Sequence, residues 1–336
     1  MVRRIQFVLA CLLCVVPALA AAWGPKGHEY SGAVADQLLT PRVRAEVQKI
    51  LGMSLRDAST WGDCVKNVGG PPDFKYTPMP RYSAACSRFG TPEGINRMRS
   101  YVRRNWDNCS RKPGEEACHK SYHYADVAIQ HYRYDREYTG TSDHDIVSAI
   151  NAAIAVLRGT PTLPPFGIAD KQEALLMLAH LVGDVHQPLH VGAVYLDAED
   201  RPFDPDAPGH THDRSTETHG GNIIDVGSNN MHAEWDQVLH SLNPDKIDPK
   251  AIAWAAAIPE TDAPLDSWAA IWASDTLAAA RIAYTGISYA HPGTKGTWSA
   301  RFDDRKKYLV MKREIQNQQL VKAGARLGQV LNSALK

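Results

Sequence analysis

The sequence predicts an all-α fold, a single compact multi-helix domain with long irregular loops. Its apolar residues recur mostly with a helical period, and residues typical of helix starts and ends flank these periodic segments. We find no convincing alternating strand pattern, no internal repeat and no heptad run. A chain of 336 residues is long enough for one large domain with a substantial core.

The first 22 residues have the pattern of a secretory signal peptide. Arg3 and Arg4 begin it, residues 7–16 form an apolar core, and Ala20–Ala22 provide the small residues of a cleavage site. The apolar run is too short for a membrane span. We therefore expect a mature domain over residues 23–336, secreted or periplasmic, with no membrane anchor after signal cleavage.

Six segments are predicted to be helices from the period of their apolar residues and from the residues at their ends. Thr40 and Pro41 are typical of a helix start, Gly52 is typical of a helix end, and Asp170 with Glu173 resembles a capping box. The predicted helices cover residues 41–51, 93–106, 143–157, 170–187, 266–284 and 307–335. Two stretches, 69–82 and 196–221, are predicted to be irregular loops within the one domain.

The cysteines of the mature chain predict two disulfide bonds. Two of the six cysteines lie in the signal peptide, and the other four would enter an oxidising compartment. They lack the Cys-x-x-Cys spacing of a zinc site, and they allow three pairings. We favour Cys109–Cys118, which would close a polar loop, and by elimination Cys64–Cys86.

The charge balance argues against a protein that holds nucleic acid through a basic surface. The 37 Lys and Arg equal the 37 Asp and Glu, so loss of Arg3 and Arg4 leaves the mature chain at about −2. A tight nucleic-acid binder should be strongly positive. A protein of this charge that acts on a polyanion needs bound metal for local positive charge, and we expect no stable nucleic-acid complex.

The most informative stretch is the end of the predicted helix 170–187. His180 and Asp184 are four residues apart in an otherwise apolar segment, so their side chains lie on one face about a turn apart. Pro188 ends the helix, and the following turn can bring His190 back towards them. Because a buried imidazole beside a carboxylate needs compensation, this pattern predicts a metal site.

Other histidines and aspartates lie beside Trp, Gly and Pro rather than on polar helix surfaces. His232 and Asp236 repeat the four-residue spacing. A single pair of this kind arises easily by chance, but several in one chain strengthen the prediction of a metal site. The other candidate ligands are His28, Asp63 and His123. Three loop histidines are expected to be solvated rather than ligands: His210, His212 and His219.

From Trp23 to its end, the chain resembles the type I, zinc-dependent, single-strand-specific nucleases of fungi, plants and bacteria. The motifs occur in the order found in that family, and the helix-ending block is the most specific of them. They are Trp23-Gly-Pro-Lys-Gly-His28, Trp-Gly-Asp63, His123-Tyr124, His180-Leu-Val-Gly-Asp184-Val-His-Gln-Pro-Leu-His190, Gly220-Gly-Asn222 and Met-His232-x-x-Trp-Asp236.

The resemblance implies a cleft with three Zn²⁺ ions and identifies a ligand set in this sequence. Nitrogen and oxygen ligands with open positions for water suit catalytic zinc. The implied ligands are Asp63, His123, His180 and Asp184 for the first ion; His28, Asp184 and the amino nitrogen and carbonyl oxygen of Trp23 for the second; and His190, His232 and Asp236 for the third.

The proposed role of Trp23 has a consequence for processing. An α-amino group can chelate a metal only after signal cleavage frees it and only once it is deprotonated. We therefore hypothesise that removal of the signal peptide completes the site.

The activity implied by the resemblance is in-line hydrolysis of phosphodiester bonds in single-stranded DNA and RNA, leaving 5′-phosphate ends, with 3′-nucleotidase activity on nucleotides. Asp63, Asp184 and Lys66 are the implied catalytic residues, and we expect a monomer. Lys66 would contact the phosphate and Tyr124 would stack on an unpaired base. An ordinary surface lysine and a core aromatic remain the alternatives for these two, and His186 and Asp126 are candidates for orienting ligands.

Two other functions fit parts of the sequence. A zinc-dependent phospholipase C would use a similar cluster beginning at Trp, but its last ligand is typically Glu where this chain has Asp236. The Gly-Gly-Asn222 motif also favours the nucleases over that relative in the phospholipase C/nuclease superfamily. A secreted zinc-binding protein without turnover would explain the ligands but not open, bridged sites.

Overall fold

The computed structural model describes residues 23–111, 115–162, 164–210, 213–227, 229–291 and 298–336. The predicted signal peptide and His212 lie outside these residues. Helices make up 52% and strands 8%, which confirms a mainly helical fold in one compact domain. The α-helices described are α1 (Pro25–Leu38), α2 (Pro41–Leu51), α3 (Leu55–Ala58), α4 (Trp61–Val65), α5 (Ser83–Cys86), α6 (Pro92–Arg104), α7 (Cys118–Ser121), α8 (Ile146–Leu157), α9 (Lys171–Asp184), α10 (Met231–Asp236), α11 (Pro249–Ala257), α12 (Trp268–Ala283) and α13 (Arg305–Ala334).

Helix α9 lies at the centre of the fold. It packs against α1, α2, α3, α4, α8 and α13, and every residue from Ala174 to Asp184 is buried. A helix that is apolar around its whole circumference requires such a position. Burying one leucine side chain stabilises a fold by about 1.5–3 kcal/mol, and Leu175 and Leu178 are both fully buried. This packing fixes the end of α9, where His180 and Asp184 lie.

The helix ends follow local capping chemistry. The Thr40 hydroxyl accepts a hydrogen bond from the amide of Val43, and Gly52 ends α2 with a φ of 69°. The carboxylate of Asp170 accepts a hydrogen bond from the Glu173 amide at 2.8 Å. Two predicted bounds were wrong by about one turn: α8 begins after Asp145, whose side chain caps it, and α9 already ends at Asp184.

Helix α1 was absent from the sequence-based prediction because small residues, glycines among them, form much of its buried face beside Tyr30 and Val34. It packs against α13 and α3. A Cβ on Gly324 would lie 2.5 Å from Val34, and a Cβ on Gly32 would lie 2.7 Å from the backbone of Arg56. Close helix approach through small residues leaves no periodic apolar signal, so the helix was not predicted.

The mainly helical fold also contains strands, which are too short to show an alternating pattern in the sequence. Strand β6 (Ile287–Ala290) pairs antiparallel with β7 (Trp298–Phe302), and β5 (Ile224–Asp225) pairs parallel with β7. The parallel pair of β1 (Val127–Ala128) and β2 (Gly192–Ala193) joins the segments that follow His123 and His190. The strands are β1 (Val127–Ala128), β2 (Gly192–Ala193), β3 (Tyr195–Leu196), β4 (Pro202–Phe203), β5 (Ile224–Asp225), β6 (Ile287–Ala290) and β7 (Trp298–Phe302).

The favoured disulfide pairing is present in the structure. Cys64–Cys86 joins α4 to α5, and Cys109–Cys118 joins the segment after α6 to α7. The second predicted loop is less irregular than expected, since β4 lies within it and pairs with β3. None of the helices described is both long enough and apolar enough to cross a membrane.

Candidate metal centre

The predicted ligands converge at the end of α9, although they come from five separate parts of the chain. His28 lies on α1, Asp63 on α4, His123 before β1, and His190 in the turn after α9. His232 and Asp236 lie on α10. All are at most 5% exposed. They form three groups whose ligand atoms lie within 4.8 Å of one another: His28, Asp63 and His180; His123, His180 and Asp184; and His190, His232 and Asp236.

Asp184 lies at the centre of the first two groups. Its Oδ2 is 2.8 Å from Nδ1 of His123 and 3.0 Å from Nε2 of His180. Its Oδ1 is 3.2 Å from Nε2 of His28 on the other side. Asp63 accepts a hydrogen bond from Lys66 at 3.3 Å. One carboxylate therefore faces both groups, which is the placement needed for a bridging ligand.

Backbone carbonyls set the orientation of three imidazoles. Nδ1 of His180 lies 2.7 Å from the carbonyl oxygen of Ser59, and Nδ1 of His190 lies 2.6 Å from that of His123. Nδ1 of His232 is 2.8 Å from the carbonyl oxygen of Gly220. A carbonyl oxygen only accepts, so each Nδ1 carries the proton and donates it. Nε2 of His180 then faces the carboxylate of Asp184, and Nε2 of His190 and of His232 turns a lone pair inward when those rings are neutral.

Two of these lone pairs face each other, because Nε2 of His190 and Nε2 of His232 are 3.1 Å apart. Burial lowers the pKa of His190 to about 4 and that of His232 to about 3. Both rings are therefore neutral at pH 7, and their facing nitrogens repel unless a cation lies between them. Neutral imidazole is the form that binds a metal ion.

The two carboxylates Asp184 and Asp236 have pKa values shifted in opposite directions. Burial alone would raise the pKa of Asp184, but the neighbouring His180 and His190 outweigh it and hold that pKa well below the usual range. Asp184 is therefore ionised at neutral pH. Burial, with a smaller contribution from the charges of Asp63 and Asp184, raises the pKa of Asp236 well above its usual value. A bound cation would remove that penalty.

Several buried polar atoms at the site have no hydrogen-bond partner among the residues described. Leaving such atoms unpaired is costly, and nearly all buried polar groups in proteins are paired. A divalent ion with nitrogen and oxygen ligands would satisfy them, so the residues fit a metal centre. The atoms without a hydrogen bond are both ring nitrogens of His28, Oδ2 of Asp63, Oδ1 of Asp184 and Oδ2 of Asp236; Nε2 of His28 and Oδ1 of Asp184 lie 3.2 Å apart but not in hydrogen-bond geometry.

Two glycines leave room for the ligand rings. A Cβ on Gly62, which lies one residue before Asp63, would overlap the ring of His180. A Cβ on Gly183, which precedes Asp184, would lie 2.8 Å from Nδ1 of His28. Real Cβ atoms do not approach other atoms this closely, so both positions require glycine.

Gln187 is a site residue that the sequence analysis missed. Its Nε2 donates a hydrogen bond to Oδ1 of Asp236 at 2.8 Å, and its Oε1 accepts one from the amide of Leu189 at 2.6 Å. The side chain therefore links the turn that carries His190 to the carboxylate of Asp236. It lies inside the helix-ending motif, but its partner is remote in sequence and no local pattern identifies it.

Trp23 is fully buried beside the ligands. Its indole Nε1 donates a hydrogen bond to the carbonyl oxygen of Gly183 at 2.9 Å, next to Asp184. The amide of Gly24 donates to the carbonyl oxygen of Asp236 at 3.0 Å. The first residues that the structure describes thus contact both α9 and α10.

A cleft of about 440 Å³ opens onto the candidate ligands, and both predicted substrate-binding residues line it. Lys66 lies there with its side chain 10% exposed, beside Asp63, and so is not an ordinary surface lysine. Tyr124 is partly exposed at the cleft wall next to His123. The loop residue His219 also lines the cleft, and its side chain is exposed, as expected of a solvated histidine.

The two residues predicted to orient ligands, Asp126 and His186, lie in different surroundings. Asp126 lines the cleft, where burial, reinforced by the charge of Glu217, raises its pKa to about 7. His186 donates from Nδ1 to the carbonyl oxygen of Val182 at 2.7 Å and accepts a hydrogen bond from Arg326 at 3.0 Å. His186 therefore holds the last turn of α9 through backbone contact.

A further group of one histidine and two aspartates lies elsewhere. Nε2 of His131 is 2.8 Å from Oδ2 of Asp206 and 3.3 Å from Oδ1 of Asp204. These side chains are 13–28% exposed, and Asp206 also accepts hydrogen bonds from the amide and hydroxyl of Thr139. Their hydrogen bonds link two loops, which explains why these residues lie together.

Comparison with known proteins gives a consistent result. The S1/P1 Nuclease family profile matches residues 23–336. Endonuclease 4 of Arabidopsis thaliana is 25% identical over 224 residues, 66% of this chain and 56% of that protein. Endonuclease 5 of the same plant is 25% identical over 194 residues, 56% of this chain and 52% of that protein.

The chain spans about half the length of these curated relatives. The family profile, in contrast, covers nearly the whole chain, which confirms the resemblance inferred from the motifs. On this ground the chain belongs to the S1/P1 nuclease family.

Proposed function

We propose that this protein is an exported, zinc-dependent endonuclease that hydrolyses single-stranded DNA and RNA to products with 5′-phosphate ends, and that also removes 3′-phosphates from nucleotides. The observation that carries the proposal is the convergence of three His/Asp groups, with unpaired buried atoms facing one another, at the floor of a cleft. Membership in a nuclease family supports a phosphodiester substrate. The two disulfide bonds support export.

The metal ligands in this proposal are those implied by the sequence. Trp23, His28 and Asp184 would hold one ion, and Asp63, His123, His180 and Asp184 another. The third would be held by His190, His232 and Asp236. Bound zinc would supply Lewis-acid polarisation of the phosphate and a lowered pKa for bound water.

The protein's own residues would bind and orient the substrate. Lys66 is the cleft cation nearest the first group, and its ammonium, 3.3 Å from Asp63, is within reach of a phosphate bound beside that carboxylate. Tyr124 offers an aromatic face beside His123 for an unpaired base. A base within a duplex is already stacked and paired, so it would have to leave the helix to reach this face. This requirement supports a preference for single strands.

The acidic groups of the cleft determine how binding depends on metal. The described cleft lining holds six acidic side chains against four basic ones, so the protein without metal offers a phosphate chain no net attraction. Two or three divalent ions reverse the sign of that field. Substrate affinity and turnover should therefore both rise with metal occupancy.

The proposal is tested with purified protein that begins at Trp23. The assay measures 5′-mononucleotide release from single-stranded DNA before chelation, after chelation and after zinc is restored, with a duplex of the same sequence in parallel. We expect activity lost and regained with zinc, slower cleavage of the duplex, and 5′-phosphate ends by mass spectrometry.

The matched inactive control is Asp184→Asn. It keeps the size of the side chain but removes the negative charge that faces both the group with His28 and the group with His123. No nucleotide release from a folded, zinc-loaded sample would reject the nuclease proposal. Hydrolysis of phosphatidylcholine by that sample would instead favour the phospholipase, and zinc binding without either activity would favour a binding protein.

A further inference from the structure

The helix that carries His232 and Asp236 is too short to hold its own position. Helix α10 has six residues, and isolated helices shorter than about 12–15 residues are marginal in water. The last four carbonyl groups of any helix also have no partner inside that helix. The geometry of these two candidate ligands therefore depends on contacts from outside α10.

Side chains of the C-terminal helix α13 supply most of those contacts. Nζ of Lys312 donates a hydrogen bond to the carbonyl oxygen of Glu234 at 2.9 Å. Nε2 of Gln316 donates to the carbonyl oxygens of Trp235 at 2.6 Å and Gln237 at 3.0 Å. With the Gly24 amide on the carbonyl of Asp236, each carbonyl from residue 234 to residue 237 has a partner outside α10.

The same helix also holds side chains of α10. Arg305 pairs with the carboxylate of Glu234, and the indole of Trp235 donates a hydrogen bond to the hydroxyl of Tyr308 at 2.7 Å. These contacts recur at every turn of α13 from residue 305 to residue 316. Helix α13 thus fixes both the backbone and the outward side chains of α10, while His232 and Asp236 face the metal centre.

Packing alone does not explain these polar residues. Lys312 is 6% exposed and Gln316 is 1% exposed, and burying such groups is unfavourable unless their donors are used. Apolar side chains would fill the same space without fixing any carbonyl. The hydrogen bonds from Lys312 and Gln316 therefore determine where α10 lies rather than only that it is covered.

We propose that Lys312 and Gln316 are positioning residues for the group formed by His190, His232 and Asp236, and that they act through α10. The inference rests on the proposed function in one respect, that this group holds a metal ion. Loss of either side chain leaves α10 carbonyls unpaired and lets His232 and Asp236 move relative to His190. The other two groups lie on α1, α4, α9 and the segment before β1, none of which receives a hydrogen bond from Lys312 or Gln316, so they keep their geometry.

The test compares Gln316→Met with a control on the same helix. Gln329 also donates from Nε2 to a backbone carbonyl, that of Ile258 at 2.8 Å, but far from α10. Gln329→Met therefore loses the same kind of hydrogen bond from the same residue type. Zinc per chain is measured by elemental analysis at limiting free zinc, and the affinity of each ion by chelator competition.

We expect Gln316→Met to bind one of three ions about 10- to 100-fold more weakly, the range found for outer contacts of metal ligands, with the other two unchanged. Excess zinc should restore its turnover, which a general loss of structure would not allow. Gln329→Met should keep all three affinities. Lys312→Met, which frees a single carbonyl, should weaken the same ion and serves if Gln316→Met does not fold.

The outcomes separate this inference from the proposed function. Wild-type protein that binds three ions, together with variants that hold all three as tightly, would overturn the positioning role alone. Wild-type protein that binds no ion at His190, His232 and Asp236 would overturn the ligand assignment, and the positioning role with it.

Discussion

The side-chain amide of Gln187 donates a hydrogen bond to the carboxylate of Asp236 at 2.8 Å, across 49 residues of sequence. Through Leu189 the same side chain holds the turn that carries His190. We expect Gln187→Met to weaken metal binding at Asp236 by about 10- to 100-fold, because it loses both contacts at nearly constant volume. Chelator competition measures this change. An unaltered affinity would contradict the role of Gln187.

A methyl group at Gly62 is expected to disable the centre. Its Cβ would overlap the ring of His180, and a ligand displaced by about 1 Å can reduce catalysis by about 100-fold. Gly62→Ala should therefore lose metal and at least that much kcat/KM. The control is Gly52→Ala, where φ is 69° and nothing lies within 4 Å. It should lower the free energy of unfolding by about 1–2 kcal/mol with normal activity.

Removal of the ring at position 124 should weaken substrate binding. Stacking contributes about 1–3 kcal/mol per base, so Tyr124→Ala should raise KM for single-stranded DNA roughly 5- to 100-fold with a smaller change in kcat. Tyr124→Phe keeps the ring and should keep KM. Tyr132→Ala removes a 77% exposed ring outside the cleft and serves as control. Equal KM values for all variants would exclude a stacking role.

The stability of the protein should depend on pH through Asp126. Burial raises its folded pKa to about 7, whereas an unfolded aspartate titrates near 3.9. The folded state then binds more protons between these values, so the free energy of unfolding falls as pH rises through this window.

Asp126→Asn cannot ionise, and its stability relative to wild type should be greater at pH 8 than at pH 5. Urea unfolding at both pH values measures the difference. The exposed aspartate Asp262, changed to Asn, provides the control. A difference that is the same at both pH values would show that Asp126 titrates normally.

An extra residue before Trp23 should reduce metal content if its amino group is a ligand. We expect protein with an added N-terminal Met to hold less zinc than protein that begins at Trp23, because the added residue converts the amine into an amide. Trp23→Phe keeps the amine but loses the indole hydrogen bond to Gly183, so it should retain the metal. Equal zinc content and activity with the added Met would refute chelation.

The parts of the site that sequence predicts are those set by local geometry. His180 and Asp184 are one helical turn apart, so their common face follows from spacing, and the caps at Thr40 and Asp170 follow from side-chain chemistry. The start of α8 was misplaced because Asp143 and Asp145 are both suitable capping residues, and Asp145 is the one that caps the helix. The end of α9 was misplaced because Pro188 limits how far the helix can extend but does not fix the residue at which it ends.

The parts that sequence does not predict are joined across long separations. Gln187 meets Asp236, and Lys312 meets Glu234 across 78 residues. The carbonyls of Ser59 and Gly220 orient ligand rings, and a backbone carbonyl has no residue-type signal. The short strands were missed for a related reason, since pairing between distant segments creates them.

The central position of α9 divides the protein into a part that resists substitution and a part that accepts it. Ligands carried on packed helices cannot change without repacking several neighbours, whereas most of the cleft wall, including Tyr124, Asp126 and His219, lies in loops. Loop residues can be exchanged with little effect on the core. Related enzymes can therefore diverge in the substrates they accept while conserving one hydrolytic chemistry.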